Sequence, residues 1–442
     1  MLITNVRQKL SSPAIKNTLW LTSEKLLSMA LVLLVNIFVA RHLGPESFGL
    51  LNYFLAIVAL MVPLTSLGMN AIVTKEVVKT PKRQQMIINT AILFRLLGGG
   101  VACLFIWLMT SLDFLNIDND YLMLFLLLTL INSLVAFHVV DFWFQAKVLS
   151  KYIVKVRFTV LFVLSIAKLF GVYLELSLAT FIWLAILESG LLSLGFLAIY
   201  LYKSKLSILG GIDVLFGFQL LKQSKWLIFS SIASIIYLKI DQLMLAEMVS
   251  TTEVGIYAVA SRMSEVWYFF PIALVSSFFP SLLKLKQSSK EQYQARLQKL
   301  CDLLFGIALI VAITIFFISD WIITMLFGDA YVASSAILMI HIWAGLFVFM
   351  RALLSKWILA EDLVVFSLVT HGVGAVINVV LNYWLIPLYQ GQGAAIATVV
   401  SYAFASYIVL FFHRSTWPMA KIMTKSLFFP SRLFLAHVKS SA

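Results

Sequence analysis

Charged side chains lie deep inside long apolar stretches of this 442-residue sequence, where charges are rare and usually functional. Basic residues outnumber acidic ones among these charged side chains. A cavity lined by them would therefore favour an anionic group such as phosphate or pyrophosphate. We predict that these basic residues bind the substrate. They are Lys25, Arg95, Lys168, Lys239, Arg262 and Arg351, set against the acidic Glu24, Glu188, Asp241 and Glu265.

The carboxylates of this set are candidates for coupling to an ion gradient. Asp241, Glu24 and Glu265 are predicted to take up a proton or a sodium ion, since a carboxylate within a membrane is a natural site for either. Charge compensation of neighbouring Lys or Arg residues explains the same positions equally well. Lys239 and Asp241 are two residues apart, which points them about 200° apart on a helix, so at least one faces another helix or a cavity. Arg262 and Glu265 are three apart and can pair locally.

Depth distinguishes two of the basic residues. Lys168 and Arg95 lie about ten residues, or roughly 15 Å, inside their apolar stretches, which is too deep to reach water easily. They either line a cavity or form buried structural ion pairs, and the sequence leaves both interpretations open. Glu188 and Asp320 have no evident partner and are expected to stand alone.

The elements that hold these residues are predicted to be transmembrane helices. Hydrophobic residues make up 62% of the sequence and charged residues only 12%, against about 25% in soluble chains. Many apolar runs reach about 20 residues, the length that crosses about 30 Å of hydrocarbon. We predict an all-α integral membrane fold with about 12 transmembrane helices. The predicted spans lie near residues 17–40, 48–68, 86–112, 121–141, 158–173, 178–202, 226–248, 258–280, 301–325, 333–354, 363–386 and 394–412.

Basic residues in the connections predict the orientation. Loops on one side carry clusters such as Lys147, Lys151, Lys155 and Arg157, whereas loops on the opposite side carry only Arg41. The positive-inside rule places the basic side, and with it both chain ends, in the cytoplasm. The net charge of +13 is therefore explained by topology and anionic lipid, and no nucleic-acid partner is predicted.

A weak internal repeat predicts two similar halves. Ala40 and Gly49 recur as Ala246 and Gly255 at one common offset. An even number of spans separates the equivalent points, so the halves are parallel six-helix repeats, an architecture typical of transporters with a central site. The predicted domains are an N-terminal lobe (1–205), a cytoplasmic linker (206–225), a C-terminal lobe (226–413) and a basic cytoplasmic tail (414–442).

Other polar or small residues inside the spans are expected to serve packing. Gly98 to Gly100 lie mid-span and predict close helix packing or a hinge, and Asn378 and Asn382 share a helix face and are expected to bond across helices. No Walker motif, nucleophile elbow or zinc pattern appears, so no catalytic residue, cofactor or metal site is predicted. The histidines lack ligand spacing and are expected to pack; they are His138, His341 and His371.

Short segments spread over nearly the whole chain resemble, in order, the signatures of one transporter family. They are residues 40–49 (ARHLGPESFG), 239–242 (KIDQ), 253–257 (EVGIY), Phe279-Pro280, 327–331 (FGDAY) and 391–398 (GQGAAIAT). Together they resemble the Wzx-type polysaccharide and O-antigen flippases, the polysaccharide transport proteins of the multidrug/oligosaccharidyl-lipid/polysaccharide exporter (MOP) superfamily.

The resemblance implies a MATE-like bilobed transporter and not an enzyme. Such proteins move undecaprenyl-pyrophosphate-linked oligosaccharide units from the inner to the outer leaflet of the bacterial inner membrane, in O-antigen and lipopolysaccharide biosynthesis, and draw on an ion gradient. A glycan polymerase and a chain-length regulator are the expected protein partners. Lys239 and Asp241 fall on the family's motif in the seventh span. Arg95 and Lys168 fall on no family signature, so their role rests on depth alone.

Two other classes of function remain open at this stage. A drug or cation antiporter has the same fold, but its pathway would be expected to carry the opposite charge bias. A membrane-embedded glycan polymerase or glycosyltransferase would need a sizeable external loop or external carboxylates, and the predicted external loops are all short.

Overall fold

The computed structural model describes residues 13–115, 117–207, 210–429, 431 and 432. Residues 1–12 and 433–442, the latter being the last part of the predicted basic tail (414–442), lie outside these ranges. All regular elements within the described ranges are helical, as the all-α prediction requires. The helices before residue 235 are α1 (Pro13–Ser66), α2 (Asn70–Lys79), α3 (Gln84–Ser111), α4 (Asn119–Asn132), α5 (Val140–Ala146), α6 (Lys151–Tyr173), α7 (Leu178–Ser204) and the first part of α8 (Val214–Met248), with a 3-10 helix at Ser133–Val139.

The chain forms two compact units that divide between Ile235 and Ile236, within α8. The predicted lobe boundaries and the linker at 206–225 stay a prediction. Beyond α8, the second unit consists of α9 (Thr251–Glu265), α10 (Phe269–Ser288), α11 (Lys290–Phe327), α12 (Ala333–His341), α13 (Ala344–Ala360), α14 (Val364–Ser406) and α15 (Trp417–Leu427).

Two long helices are each interrupted by one residue with non-helical backbone angles. Gly44 interrupts α1 with φ 71° and ψ 172°, values that glycine adopts without steric cost, and Pro45 follows it. Gln390 interrupts α14 with φ 51° and ψ −129°. The sequence predicted two spans on either side of each interruption, so the ends of the predicted spans agree with the backbone here.

Nine helical stretches in the described ranges are long and apolar enough to cross a membrane. Two of the nine contain the interruptions at Gly44 and Gln390. Helix α6, which carries Lys151, Lys155, Arg157 and Lys168, is not among them. The multi-pass prediction is thus supported, and the count of 12 spans stays a prediction.

The long helices present large apolar side chains to the outside. Met123 is 81% exposed, Phe317 79% and Val376 64%. In water such a surface would associate or aggregate, whereas in a bilayer it is the expected lipid-facing surface.

Glycine packing fixes α3 against its neighbours in the first unit. A Cβ atom added to Gly98 would lie 2.3 Å from the carbonyl oxygen of Leu64 in α1, and one added to Gly99 would lie 2.9 Å from Cβ of Ser133. Gly100 has nothing within 4 Å. Gly98 and Gly99 therefore serve close helix packing, one of the two roles predicted for them, and this packing sets the depth of Arg95 one turn earlier.

Candidate functional site

The first unit encloses a polar cavity of about 460 Å³. Its walls come from seven helices and from the 3-10 segment Ser133–Val139. The charged and polar groups are brought together by the packing of helices that are distant in sequence. The lining residues are Val62, Pro63, Ser66, Asn70, Arg95, Val135, His138, Asp141, Phe142, Arg157, Phe196, Ser231, Ser234 and Ile235.

Arg95 is the most unusual group in this cavity. Only 3% of the residue is exposed, and its Nε and Nη1 atoms have no hydrogen-bond partner within the described part of the chain. It also forms no ion pair there. A buried guanidinium without a counter-charge is costly, which makes Arg95 a candidate functional group.

Arg157 lies in the same cavity and is held by two carboxylates. Its Nη1 donates to Oε2 of Glu24 at 3.1 Å and its Nη2 donates to Oδ2 of Asp141 at 3.3 Å. The side chain is 30% exposed, compared with 5% for Glu24 and 13% for Asp141. Ser28 also donates to Glu24, at 3.1 Å. Arg157 is thus oriented by helices α1 and α5 while part of it remains accessible.

The placement of Arg157 corrects the sequence interpretation. The basic cluster from Lys147 to Arg157 was assigned to a cytoplasmic loop, with the span beginning at 158. Helix α6 instead begins at Lys151, so Arg157 lies nearly two turns inside it. The missed signal was apolar Ile153 and Val154, which are buried and already belong to the helix.

The remaining polar and apolar walls complete the cavity. His138 lies 3.3 Å from the hydroxyl of Ser193 through Nε2, and the guanidinium of Arg157 lies 5.5 Å from the centre of the Phe196 ring. Ser231 and Ser234 add two hydroxyl groups from α8. The cavity can therefore offer cationic and neutral donors together with a flat apolar wall.

A second cavity of about 470 Å³ is also lined by Arg157. Glu24, Lys25 and Arg157 line it together with apolar residues of α1 and α6. Arg157 is common to both cavities. The predicted site residues Lys25 and Glu24 are thus close to Arg157 and, through it, to the cavity that holds Arg95.

Lys168 does not join this cluster. Its Nζ donates to Oε2 of Glu188 at 2.6 Å, which links α6 to α7. The expectation that Glu188 stands alone is therefore wrong, because the two residues lie side by side on packed helices. For Lys168 the geometry is that of the structural ion pair, one of the two interpretations left open by the sequence.

Asp241 is the centre of a buried hydrogen-bond network in the second unit. Its Oδ2 accepts from the hydroxyls of Tyr257 and Thr398, each at 2.7 Å, and its Oδ1 accepts from Nδ2 of Asn382 at 2.5 Å. Only 3% of Asp241 is exposed. Asn382 thus bonds across helices to Asp241, as predicted, and Asn378 accepts from Asn382 within the same helix at 3.2 Å.

The Asp241 network contains neutral donors and no basic partner. Within the described ranges Asp241 forms no ion pair, and a void of about 10 Å³ lies beside it, close to the volume of one water molecule. His341 and Glu265 also line this void. No group of three or more possible metal ligands from His, Cys, Asp and Glu occurs in the described residues.

Four further candidates do not line the polar cavity of the first unit. Arg351 donates to the carbonyl of Ala405 at 2.7 Å and to the hydroxyl of Thr370 at 2.8 Å, so its terminal nitrogens already serve helix packing. Arg262 and Lys239 are half-buried, and Asp320 is exposed. In the described part of the chain Lys239 and Asp320 form no ion pair, as expected for Asp320.

Comparison with known proteins decides the family. A family model described as polysaccharide biosynthesis protein matches residues 14–286, which is more than half of the chain. The match includes every residue that lines the polar cavity of the first unit. The chain belongs to this polysaccharide biosynthesis family. The match confirms the resemblance seen in the short sequence signatures.

Two curated proteins of Haloferax volcanii are similar to this member of the family. The probable low-salt glycan biosynthesis flippase Agl15 is 24% identical over 189 residues, covering 42% of this chain and 39% of that protein. The probable flippase AglR is 27% identical over 179 residues, covering 39% of this chain and 37% of that protein. The chain thus aligns with well under half the length of these relatives.

Solved structures with the same fold are transporters. The lipid II flippase MurJ in an inward closed conformation gives a TM-score of 0.68 at 15% identity, covering 94% of this chain and 92% of that one. An inward-facing multidrug resistance MATE family transporter of the MOP superfamily gives 0.66 at 15% identity, covering 90% and 95%. These likenesses confirm the predicted MATE-like transporter fold.

Proposed function

We propose that this protein is a flippase for undecaprenyl-pyrophosphate-linked oligosaccharide repeat units, which it moves from the inner to the outer leaflet of the bacterial inner membrane by alternating access. Family membership, the flippase relatives and the fold support a transporter of this superfamily. The substrate, the direction and the energy source are our own inference. A glycan polymerase and a chain-length regulator are proposed partners, and both chain ends are proposed to be cytoplasmic.

The single observation that carries the proposal is the buried guanidinium of Arg95 in a polar cavity. Two of its nitrogens lack hydrogen-bond partners in the described residues, so the resting cavity contains donors without acceptors. A pyrophosphate supplies several acceptor oxygens and the missing negative charge. Arginine suits this role because its planar fork matches two phosphate oxygens at once.

Arg157 provides the second cationic contact in the proposed site. Glu24 and Asp141 orient it and offset its charge in the absence of substrate. A phosphate that enters the cavity competes with these carboxylates for the same terminal nitrogens. Binding is therefore expected to be moderate and reversible, which transport requires, since a substrate held too tightly is not released.

The volume of the cavity limits what it can hold. About 460 Å³ lies within the usual range of small-ligand sites and is too small for a complete repeat unit with its lipid. We assign the cavity to the pyrophosphate and the sugar next to it, with Phe142 and Phe196 as apolar walls. The lipid tail is proposed to remain in the bilayer.

Asp241 is the proposed coupling site. A buried carboxylate that accepts three hydrogen bonds from neutral groups and has no basic partner in the described ranges needs a mobile positive charge for balance. A proton or a sodium ion fits the single-water void beside it. Glu24 is engaged by Arg157, and Glu265 lines the same void as Asp241, so among the predicted carboxylates Asp241 is our first choice.

Flipping measured in proteoliposomes tests the substrate proposal. Purified protein is reconstituted with a lipid-linked oligosaccharide, and the fraction of sugar accessible from outside is followed with a soluble glycan-modifying enzyme. Wild type is expected to flip the substrate, and Arg95→Gln is expected to be slower by roughly 10- to 100-fold, the loss of one charged hydrogen-bond contact. Arg83→Gln, at an exposed position, is the matched control.

Two results would overturn the proposal. One is wild-type protein that exchanges a cationic dye for protons and leaves the lipid-linked oligosaccharide in its original leaflet, which is the behaviour of a drug antiporter. The other is equal flipping by wild type and Arg95→Gln. Deletion of the gene in its native host would further identify the glycan, through accumulation of single lipid-linked units and loss of the surface polysaccharide.

Imposed ion gradients test the coupling proposal separately. Proteoliposomes with a pH or a sodium gradient are expected to flip substrate faster than those without, and Asp241→Asn should remove this difference while retaining gradient-independent flipping. Asp320→Asn serves as the control, since Asp320 is an exposed carboxylate of α11 with no ion pair in the described ranges. A gradient effect that survives in Asp241→Asn would exclude Asp241 as the coupling site.

A further inference from the structure

A large basic cavity lies at the end of the second unit, away from the groups assigned to transport. It measures about 710 Å³ and is formed by the start of α11, by α15 and by the residues just before α15. The basic lining residues are Arg414, Lys421 and Lys425, and the acidic one is Glu291. The excess of positive charge indicates an anionic ligand.

The three basic side chains are available for such a ligand. Arg414, Lys421 and Lys425 are all exposed. None of them forms an ion pair or a hydrogen bond with any part of the chain that the structure describes. Lys421 and Lys425 are four residues apart, so they project from the same face of α15.

Helix α15 is an amphipathic helix fixed in place by its opposite face. Met419, Ala420, Ile422 and Met423 are buried in the core of the second unit. This apolar anchorage keeps the helix, and with it the basic face, in one position.

A polar network centred on Asp302 of α11 adds to this anchorage. Ser426 donates to its Oδ1 at 2.7 Å, Gln298 donates to the same oxygen at 2.8 Å, and Arg432 pairs with Oδ2 at 2.6 Å. Arg432 thus neutralises Asp302. The carboxylate therefore does not draw Lys421 or Lys425 out of the cavity.

The cavity lies where two membrane-spanning stretches end. One stretch is Lys290–Phe327, whose first two turns line the cavity, and another is Val365–Phe412, which ends just before Arg414. Large aromatic side chains surround this position: Phe412 is 82% exposed, Phe428 62% and Trp417 46%. Exposed aromatic residues beside basic ones are typical of the membrane–water interface.

A smaller cavity of about 340 Å³ adjoins the first and shares Gln294, Pro418 and Ile422 with it. It adds Lys290, while Lys286 in the same wall is already paired with Glu361 at 2.9 Å. We treat the two adjoining cavities together as one groove. The apolar part of the groove includes Trp357.

We propose that this groove is a binding site for the headgroup of an anionic phospholipid. Arg414, Lys421 and Lys425 hold the phosphate, and the exposed Trp417 and Phe428 lie among the upper parts of the acyl chains. The interfacial position distinguishes a lipid from a soluble anion, because the aromatic residues would otherwise have no apolar surroundings. The site is independent of the transport function proposed above.

Lipid retention by the purified full-length protein tests this site. The protein is reconstituted in nanodiscs of phosphatidylcholine containing phosphatidylglycerol, extracted in mild detergent, and the retained lipids are counted by native mass spectrometry. Wild type is expected to retain phosphatidylglycerol in preference to phosphatidylcholine. The triple variant Arg414→Gln, Lys421→Gln, Lys425→Gln should lose affinity for phosphatidylglycerol on the order of 100-fold, since each basic residue near an anionic surface contributes roughly fivefold.

The chain offers a matched control with the same loss of charge. Lys75, Lys79 and Lys82 are also exposed, and the first two have the same spacing of four residues as Lys421 and Lys425. Their triple change to Gln should leave retention unchanged. Thermal midpoints in phosphatidylcholine alone establish that both triple variants fold, which their exposed positions lead us to expect.

Three outcomes would overturn the lipid site. The first is equal retention of phosphatidylglycerol by wild type and the α15 variant. The second is a thermal stabilisation by inorganic phosphate equal to that by phosphatidylglycerol vesicles at the same phosphorus concentration, which would identify a soluble anion as the ligand. The third is stabilisation by an acidic peptide with none by the vesicles, which would identify a protein partner.

Discussion

Nη1 of Arg157 lies 3.1 Å from Oε2 of Glu24, an ion pair that joins α6 to α1 across the first unit. The other terminal nitrogen of Arg157 is 3.3 Å from Asp141 in α5. One cation thus compensates two carboxylates, both of which are largely removed from water. The arrangement makes Arg157 more important for stability than either of its partners.

Removal of Arg157 is expected to destabilise the protein more than removal of Glu24. Arg157→Gln leaves two buried carboxylates without a counter-charge, and breaking a buried pair in this way costs about 3–5 kcal/mol, with the lower end expected because the Arg157 side chain is 30% exposed. Glu24→Gln keeps the pair with Asp141 and should cost clearly less. Thermal midpoints in detergent measure both effects, with Arg83→Gln as a control for a lost surface charge. Equal midpoints for the two variants would contradict the shared-cation arrangement.

Replacement of Arg95 is expected to affect transport and stability in opposite directions. Arg95→Gln removes a buried charge that no described residue compensates, so the thermal midpoint should be unchanged or higher even though flipping is slower. Both are measured on the same preparation. A lower midpoint together with slower flipping would indicate that Arg95 is a structural residue with a partner of its own.

A charge exchange separates a structural from a substrate-binding role for Lys168. Lys168→Glu alone places two carboxylates side by side and should destabilise the protein. Adding Glu188→Lys restores the pair in the opposite sense, so stability and flipping are both expected to recover. Recovery of stability without recovery of flipping would show that the positive charge is needed on α6 itself, as a substrate contact would require.

Gly98 and Gly100 of α3 point to sides of the helix about 200° apart and provide a packing test. Gly98→Ala places a Cβ 2.3 Å from the Leu64 carbonyl oxygen, a clash that a backbone atom cannot easily move to relieve. We therefore expect the free energy of unfolding to fall by roughly 1–3 kcal/mol. Gly100→Ala meets open space and should be neutral or stabilising by up to about 1 kcal/mol. Thermal midpoints of the two variants compare them directly. Similar destabilisation by both would contradict the close contact between α3 and α1.

Much of the second-unit network could be predicted from the sequence because its members follow local rules. Asn378 and Asn382 are four apart in an apolar stretch, which is enough to place both on one face and to require polar partners. Asp241 lies deep in a predicted span and could not be neutralised by Lys239 two residues away. What the sequence could not supply was the identity of the partners, Tyr257 and Thr398, since these contacts depend on how separate helices pack.

The first-unit cavity was only half predictable for a related reason. The depth of Arg95 is a property of one helix and was read correctly from apolar residues on either side of it. Arg157 lies near the start of α6, next to lysines that the sequence predicts to be topological. A single sequence gives no means to separate such a charge from one that lines a cavity. Its contact with Glu24 joins residues 133 positions apart in the sequence, and its contact with Asp141 joins residues 16 positions apart.

The anchorage of α15 on α11 has a consequence for biosynthesis. Met419 and Met423 fill a core whose other wall, with Leu300 and Leu304, is made well over a hundred residues earlier. During synthesis α12 to α14 follow α11 before α15 is made. The part of the α11 surface that α15 covers therefore stays without this partner while α12 to α14 are inserted. A nascent chain that stops before Trp417 would present that surface to the quality-control proteases of the cell.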